Sequence, residues 1–308
     1  MPRTLLWTLY ALLVVIWSST WVAIKIGLED VSPLFGAGLR FSIAGAGLLL
    51  VAAATNRPLK SDARLVTVLA LAPFATAYGL IYWGEQYVPS GLAAVLFGVL
   101  PLYSALLASV ALTGEPLRPR LVAGIAVALA GLSVAFSESL ALGDSRWALV
   151  GAIACAAAPF ASAIGNVSIK RRGGPLDPVV LNGWAMLGAG LLLTAVSAIA
   201  GDRHFAWSAD AVGSIAYLAL IGSAVPFVTL TVLLRELPAV TVSYISLLLP
   251  FGALGFGALI YDETITLPAL AGAALVAAGL LVARTTRGVS TSPRAESSPA
   301  AASSARGP

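Results

Sequence analysis

Apolar residues run along this chain in blocks of membrane-spanning length, each closed by charge, proline or glycine. They cover about 4 to 26, 33 to 55, 65 to 85, 89 to 113, 121 to 137, 146 to 169, 178 to 200, 211 to 234, 238 to 260 and 266 to 283. The first block, Thr4 to Ile26, makes roughly 34 Å of helix, enough to cross a hydrocarbon core. Arg3 ahead of it resembles the start of a signal peptide, but the length predicts a retained first span. The pattern therefore predicts an all-α membrane protein with ten transmembrane helices. Composition agrees: 59% of residues are hydrophobic, 10% are charged and the mean hydropathy is +0.93.

Charge orients the spans. With the N-terminus inside, 14 of the 18 Lys and Arg residues collect on the inner side: Arg3, Arg57, Lys60, Arg64, Arg118, Arg120, Lys170, Arg171, Arg172, Arg235, Arg284, Arg287, Arg294 and Arg306. Only Arg146 and Arg203 fall outside, while Lys25 and Arg40 lie within spans. Both termini are thus expected to be cytoplasmic. A net charge of +4 in short loops beside helix ends suits anionic headgroups of the lipid bilayer, and no nucleic acid is expected. The Ser-, Ala- and Pro-rich segment 285–308 is expected to be a disordered tail.

The chain repeats itself. Lys25 and Pro33 recur as Lys170 and Pro178; Pro89 and Pro101 as Pro238 and Pro250; Glu115, Gly124 and Gly131 as Glu263, Gly272 and Gly279. The repeats are expected to cover 1–143 and 144–284, five helices each. Five is odd, so the second copy enters the membrane from the opposite face, giving two inverted five-helix repeats around a central cavity. Such symmetry supports alternating access, in which one pocket opens first to one side and then to the other.

These residues resemble the drug/metabolite transporter superfamily, with two EamA-type halves over roughly residues 5 to 284. The resemblance rests on the run Trp17-Ser18-Ser19-Thr20-Trp21-Val22-Ala23-Ile24-Lys25, on Pro33 followed by Arg40, and on the stretches Pro101 to Glu115 and Pro250 to Glu263 with their trailing glycines. It implies ten helices and export of small metabolites or amino acids across a bacterial inner membrane. The halves differ at Arg40, whose counterpart lies near Ala185, and at Tyr261-Asp262, where the first half has Thr113-Gly114.

Candidate substrate-binding residues are polar or aromatic groups at depth. Arg40 is about 10 Å into the second helix, counting from Pro33, where a cation must face protein or water. Its guanidinium suits a substrate carboxylate in two parallel hydrogen bonds; alternatively it caps carbonyls near Pro33 or reaches Glu29 or Asp30. Trp17 lies well below the headgroup belt, and Tyr78 and Tyr82 share one helix face. Ser18, Asn166 and Tyr244 complete the set, and Pro101 and Pro250 are read as bends that shape or gate the cavity. Lys25, with Glu29 four residues on, is expected to snorkel toward that pair.

Other chemistry is narrowed by what the chain lacks. No lysine follows a glycine, so the phosphate loop of an ATP-driven pump is missing. Cys155 is the only cysteine and His204 the only histidine, so no metal site and no cofactor are expected. No acidic residue lies deep in a predicted span, Glu85 and Glu115 falling at helix ends, so proton coupling through a buried carboxylate is not expected. The reading is a secondary active or facilitative exporter of small metabolites, amino acids or related organic compounds, as monomer or homodimer. Its rivals are an exchanger of anions, nucleotide sugars or phosphates and, further off, a multi-pass membrane enzyme.

Overall fold

The computed structural model describes residues 1–135, 137, 146–261 and 266–283. The proposed boundary at 143 and 144, the Glu263 copy of Glu115 and the tail 285–308 lie outside them. The described residues form ten helices. Seven are long and apolar enough to cross a membrane: α1 (Arg3–Asp30), α2 (Pro33–Ala54), α3 (Ala63–Gly84), α4 (Ser90–Ala111), α6 (Arg146–Arg172), α7 (Pro178–Ile199) and α8 (Ala209–Glu236). Three more are apolar with shorter regular stretches: α5 (Pro119–Ala135), α9 (Ala239–Ser243 followed by Ile245–Tyr261) and α10 (Leu267–Ala283). This is an all-α membrane architecture.

Local chemistry sets the ends. Asp62 starts α3 by accepting from the amides of Arg64 and Leu65 at 2.9 and 3.1 Å, which places the helix two residues ahead of the apolar block. Pro33 and Pro178 open α2 and α7, where the missing N–H has no intrahelical partner to lose. Inside α3 and α8 the backbone widens to π geometry at Ala70–Ala77, which contains Pro73, and at Leu220–Ala224, just ahead of Pro226. The expected bends prove unequal. Helix α4 breaks at Gly98 and Val99, directly before Pro101, whereas α9 breaks at Tyr244 and carries Pro250 inside its second piece.

The glycines show how the halves meet. Gly38 and Gly45 of α2 correspond in the repeat to Gly183 and Gly190 of α7. A Cβ on Gly45 would stand 2.8 Å from the Gly183 carbonyl, and one on Gly190 2.8 Å from the Gly38 carbonyl. Each glycine thus meets the counterpart of the other, the reciprocal pattern of a two-fold interface. Helices α5 and α10 repeat it. A Cβ on Gly124 would lie 2.5 Å from the Gly279 carbonyl, and one on Gly131 2.8 Å from that of Gly272. Small residues that let backbones touch drive helix association in lipid, where no hydrophobic effect separates helix from solvent. The two pairs run antiparallel along a pseudo-two-fold axis, and the repeats are inverted.

Contacts at the helix ends define two faces. On one, the basic face, Arg57 pairs with Asp177 at 3.0 Å, Arg172 with Asp62 at 4.0 Å and the N-terminal amine with Glu236 at 3.7 Å. Glu115 there caps α9 by accepting from the Ala239 amide at 3.0 Å. On the opposite face, Val31 bridges Phe205, and the Ser32 amide donates to the His204 carbonyl at 2.9 Å. Trp83, Tyr87 and Trp147 cluster on that face too, with the Arg146 guanidinium 5.1 Å from the Trp147 ring.

Candidate substrate cavity

A cavity of ≈ 70 Å³ lies between α1, α3, α4, α6, α8 and α9. Six rings face it: Trp17, Trp21, Phe74, Tyr78, Phe97 and Phe227. Thr20, Ser162, Asn166, Ser243 and Ser246 supply its polar lining, and among the described residues no Asp, Glu, Lys or Arg lines it. Phe227 is the hub, with its ring centroid 4.8 Å from Phe74, 5.3 Å from Trp17 and 5.9 Å from Tyr78. Such a wall suits apolar and aromatic surfaces, with hydrogen bonds at a few points.

Behind the rings sits Arg40, with 0% of its surface exposed. Its Nε donates to Ser223 Oγ at 2.7 Å, Nη1 to the Tyr82 hydroxyl at 3.3 Å and Nη2 to the Gly222 carbonyl at 3.0 Å. The guanidinium carbon stands 4.8 Å from the Tyr78 ring and 5.3 Å from that of Phe41. The sequence explains the carbonyl. Pro226 has no N–H to return to the residue four back, Gly222, whose oxygen instead accepts from Arg40 and, at 3.3 Å, from Trp17 Nε1. Gly222 O therefore joins a cavity ring to the buried cation.

Of the candidate residues, Trp17, Tyr78 and Asn166 line the cavity, and Arg40 and Tyr82 form the network behind it. Ser18 is buried beside them and donates to the Val14 carbonyl at 2.7 Å. Tyr244 faces elsewhere, toward a second cavity of ≈ 390 Å³ at the basic face, with Tyr10, Glu115 and Arg118. Pro101 is the second residue of the inner piece of α4, next to Leu100 of the cavity wall, and Pro250 is buried in α9. Phe227, Ser223 and Gly222 were not singled out from the sequence; Pro226 was the available signal for the last.

Two lysines bond to helix-end carbonyls at opposite ends of this assembly. Lys25 of α1 does not pair with Glu29: its Nζ donates to the backbone carbonyl of Glu85 at 3.0 Å, where α3 ends. Its repeat partner Lys170 of α6 donates to the backbone carbonyl of Arg235 at 3.3 Å, where α8 ends. The Glu85 side chain is a surprise of the fold. It sits at a helix end, as read from the sequence, but is 0% exposed, and neither carboxylate oxygen has a hydrogen-bond partner.

Comparisons with known proteins agree with this architecture. The model of the EamA-like transporter family matches residues 5–137 and 149–285. An uncharacterized inner membrane transporter of Escherichia coli K12, YedA, is 34% identical over 242 residues, 75% of each chain. A probable amino-acid metabolite efflux pump of the same organism is 29% identical over 280 residues, covering 88% of this chain and 92% of its own. The uncharacterized transporter YoaV of Bacillus subtilis is 28% identical over 271 residues, or 87% and 92% of the two chains. A crystal structure superposes with a TM-score of 0.77 over 92% of this chain and 97% of its own, at 19% identity, and so shares the fold. With both halves matched, this multi-pass membrane protein belongs to the EamA-like transporter family.

Proposed function

We propose that the protein is a carrier of the bacterial inner membrane, both termini cytoplasmic, that exports small neutral or zwitterionic organic metabolites, amino acids among them, by alternating access. The observation that carries this reading is the pair of lysine contacts. Lys25 with the Glu85 carbonyl and Lys170 with the Arg235 carbonyl are repeat-related and lie at opposite ends of the bundle. A carrier needs two such closures that open in turn; a channel does not.

With both closures made, the cavity of ≈ 70 Å³ falls well short of the ~300–1,000 Å³ of small-molecule sites. Entry of a metabolite therefore requires one end to part. The substrate class follows from the wall: six rings and five polar side chains accept an apolar or aromatic body with a few polar groups. A nucleotide sugar or phosphate would meet no cation there, because Arg40 is engaged behind Tyr78 and Tyr82. We assign Trp17, Tyr78 and Asn166 to substrate contact, and Arg40 and Tyr82 to holding α2, α3 and α8 around it.

Counterflow tests the reading. Proteoliposomes loaded with one unlabelled amino acid and diluted into a trace of the same labelled compound are expected to accumulate label transiently for some members of a panel of the twenty. Equilibration without overshoot for every member, or no movement at all, would overturn the carrier reading.

A further inference from the structure

The Glu85 carboxyl lies in a closed compartment at the opposite face. It is 0% exposed, one residue past the end of α3, and both of its oxygens and the Ser90 hydroxyl of α4 lack a partner in hydrogen-bond geometry. The charged or titratable groups that face it among the described residues are Lys25 of α1, Arg40 of α2, Tyr82 of its own helix and Cys155 of α6. Lys25 spends its bond on the Glu85 backbone carbonyl, not on the carboxyl, and Arg40 donates to Ser223, Tyr82 and Gly222. No donor meets either oxygen in good hydrogen-bond geometry, although the Ser90 hydroxyl lies beside them. Ser90 and the Lys25 and Arg40 charges offset only part of the desolvation penalty that an ionised carboxylate would carry there, so the geometry fits the neutral acid.

We propose that Glu85 is a proton-binding site that controls the opposite-face closure: the closed end holds a protonated Glu85, and loss of that proton to water opens it. The proposal rests on the carrier reading and adds the ion to which its conformational change responds. In the balanced step, Glu85–COOH of the closed form becomes Glu85–COO⁻ plus one proton released to the solvent that hydrates the opened end. Burial pushes the carboxyl from its ordinary 4.5 up to about 8 in the closed form, with Ser90, Lys25 and Arg40 pulling it back. Opened and hydrated, it returns toward the ordinary value. Between these values the closed form binds more protons than the open one, so falling pH favours closure and rising pH favours opening.

The sole cysteine is a native probe of that end. Cys155 is buried, and a Cβ on Gly84 would stand 2.6 Å from its Sγ, so the thiol is covered by the residue next to Glu85. Full-length protein in nanodiscs is labelled with a small maleimide from about pH 5.5 to about pH 9, for the wild type and Glu85→Gln. Because the Glu85 charge also acts on the Cys155 thiol, each labelling rate is divided by the thiolate fraction measured for that protein by ultraviolet absorbance before the ratio is taken. From the acid end of that range the ratio is expected to rise by up to about tenfold per pH unit and to level off near pH 8. Glu85→Asp, which keeps an acid at the position, is expected to retain the rise with a displaced midpoint. A ratio that stays flat or falls as pH rises would overturn the proposal. The assay needs no substrate. A flat ratio with counterflow intact removes the proton site alone, and a pH-dependent ratio without counterflow removes the carrier reading alone.

Discussion

The two lysine closures have one backbone geometry and opposite chemistry. At the basic face the residue whose carbonyl receives Lys170 is Arg235, and its guanidinium reaches on to the carbonyls of Gly173, at 2.6 Å, and Leu176. At the opposite face the receiving carbonyl belongs to Glu85, whose carboxyl has no partner in good hydrogen-bond geometry. Gene duplication explains the shared contact between a lysine and a helix-terminal carbonyl. The two side chains are not counterparts: counted back from Pro89 and Pro238, Arg235 aligns with Gln86 and Glu85 with Leu234. An Arg fork tied to loop carbonyls is a charge-assisted fastening with no proton to give near neutral pH, whereas a buried acid changes state with its surroundings. One end is held by fixed charge and the other by a proton, so inverted halves need not produce a carrier that treats its two sides alike.

The largest expected effect would break the comparison by removing the axis on which it rests. Gly45→Leu inserts a side chain where the Gly183 carbonyl and the Leu187 backbone already lie against the glycine. Because backbone blocks it on the facing side, no rotamer relieves the clash, and a loss of at least about 3 kcal/mol is expected. Detergent-solubilised protein should elute as aggregate in size-exclusion chromatography. Gly47→Leu, two residues along α2 with nothing within 4 Å of its Cβ position, should elute as wild type.

A smaller effect would sharpen the comparison. Arg235→Gln removes the charge that bonds Gly173 and Leu176, a loss of ~1.5–3 kcal/mol confined to the basic face. In a Cys155→Ser background, a cysteine installed at Leu176 should react with maleimide about tenfold faster or more once Arg235 is replaced. That gain should be the same at every pH after correction for thiolate, in contrast to the ratio measured at Cys155. A gain that varied with pH would mean that the fixed-charge end also titrates.

How much of this was legible in the sequence depends on the range of the interactions involved. The ten spans, the sidedness of Arg57 and Arg172 and the inverted pairing were readable, because hydropathy is local and the repeat is a pattern along the chain. Trp17, by its depth, and Tyr78, by the face it shares with Tyr82, were singled out from local patterns, and both line the cavity. Arg40 was found, but its partners were not: Gly222 and Ser223 lie on α8, some 180 residues on, and only the fold brings them to it. Glu85 shows the limit most clearly. A carboxylate at a helix end normally meets headgroups and water, but here α1, α2, α4 and α6 converge over the end of α3 and exclude them. Nothing in the neighbouring sequence encodes that convergence.

The smallest effect concerns the basic face and runs opposite in pH to the proton site. Asp177 caps α7, accepting from the amides of Val179 and Val180 at 2.8 and 3.3 Å, and pairs with Arg57 at 3.0 Å. Partial burial works to raise its proton affinity, but the Val180 and Val179 amides and the Arg57 guanidinium outweigh it and hold the carboxyl below its ordinary value. A lowered acid stabilises the fold above its ordinary value and loses that contribution as pH falls through the folded-state value. Acid therefore loosens this corner of the basic face while it favours closure at Glu85. Asp177→Asn keeps one capping oxygen and loses the ion pair, which is partly exposed and so screened by solvent, and a change below about 1 kcal/mol is expected at neutral pH. Thermal-unfolding curves of the two proteins should differ slightly near pH 7 and converge at the acid end, once the pH has fallen through the lowered folded-state value of the wild-type carboxyl. Curves that stay equally far apart at both pH values would show that the cap geometry, and not the Asp177 charge, secures the start of α7.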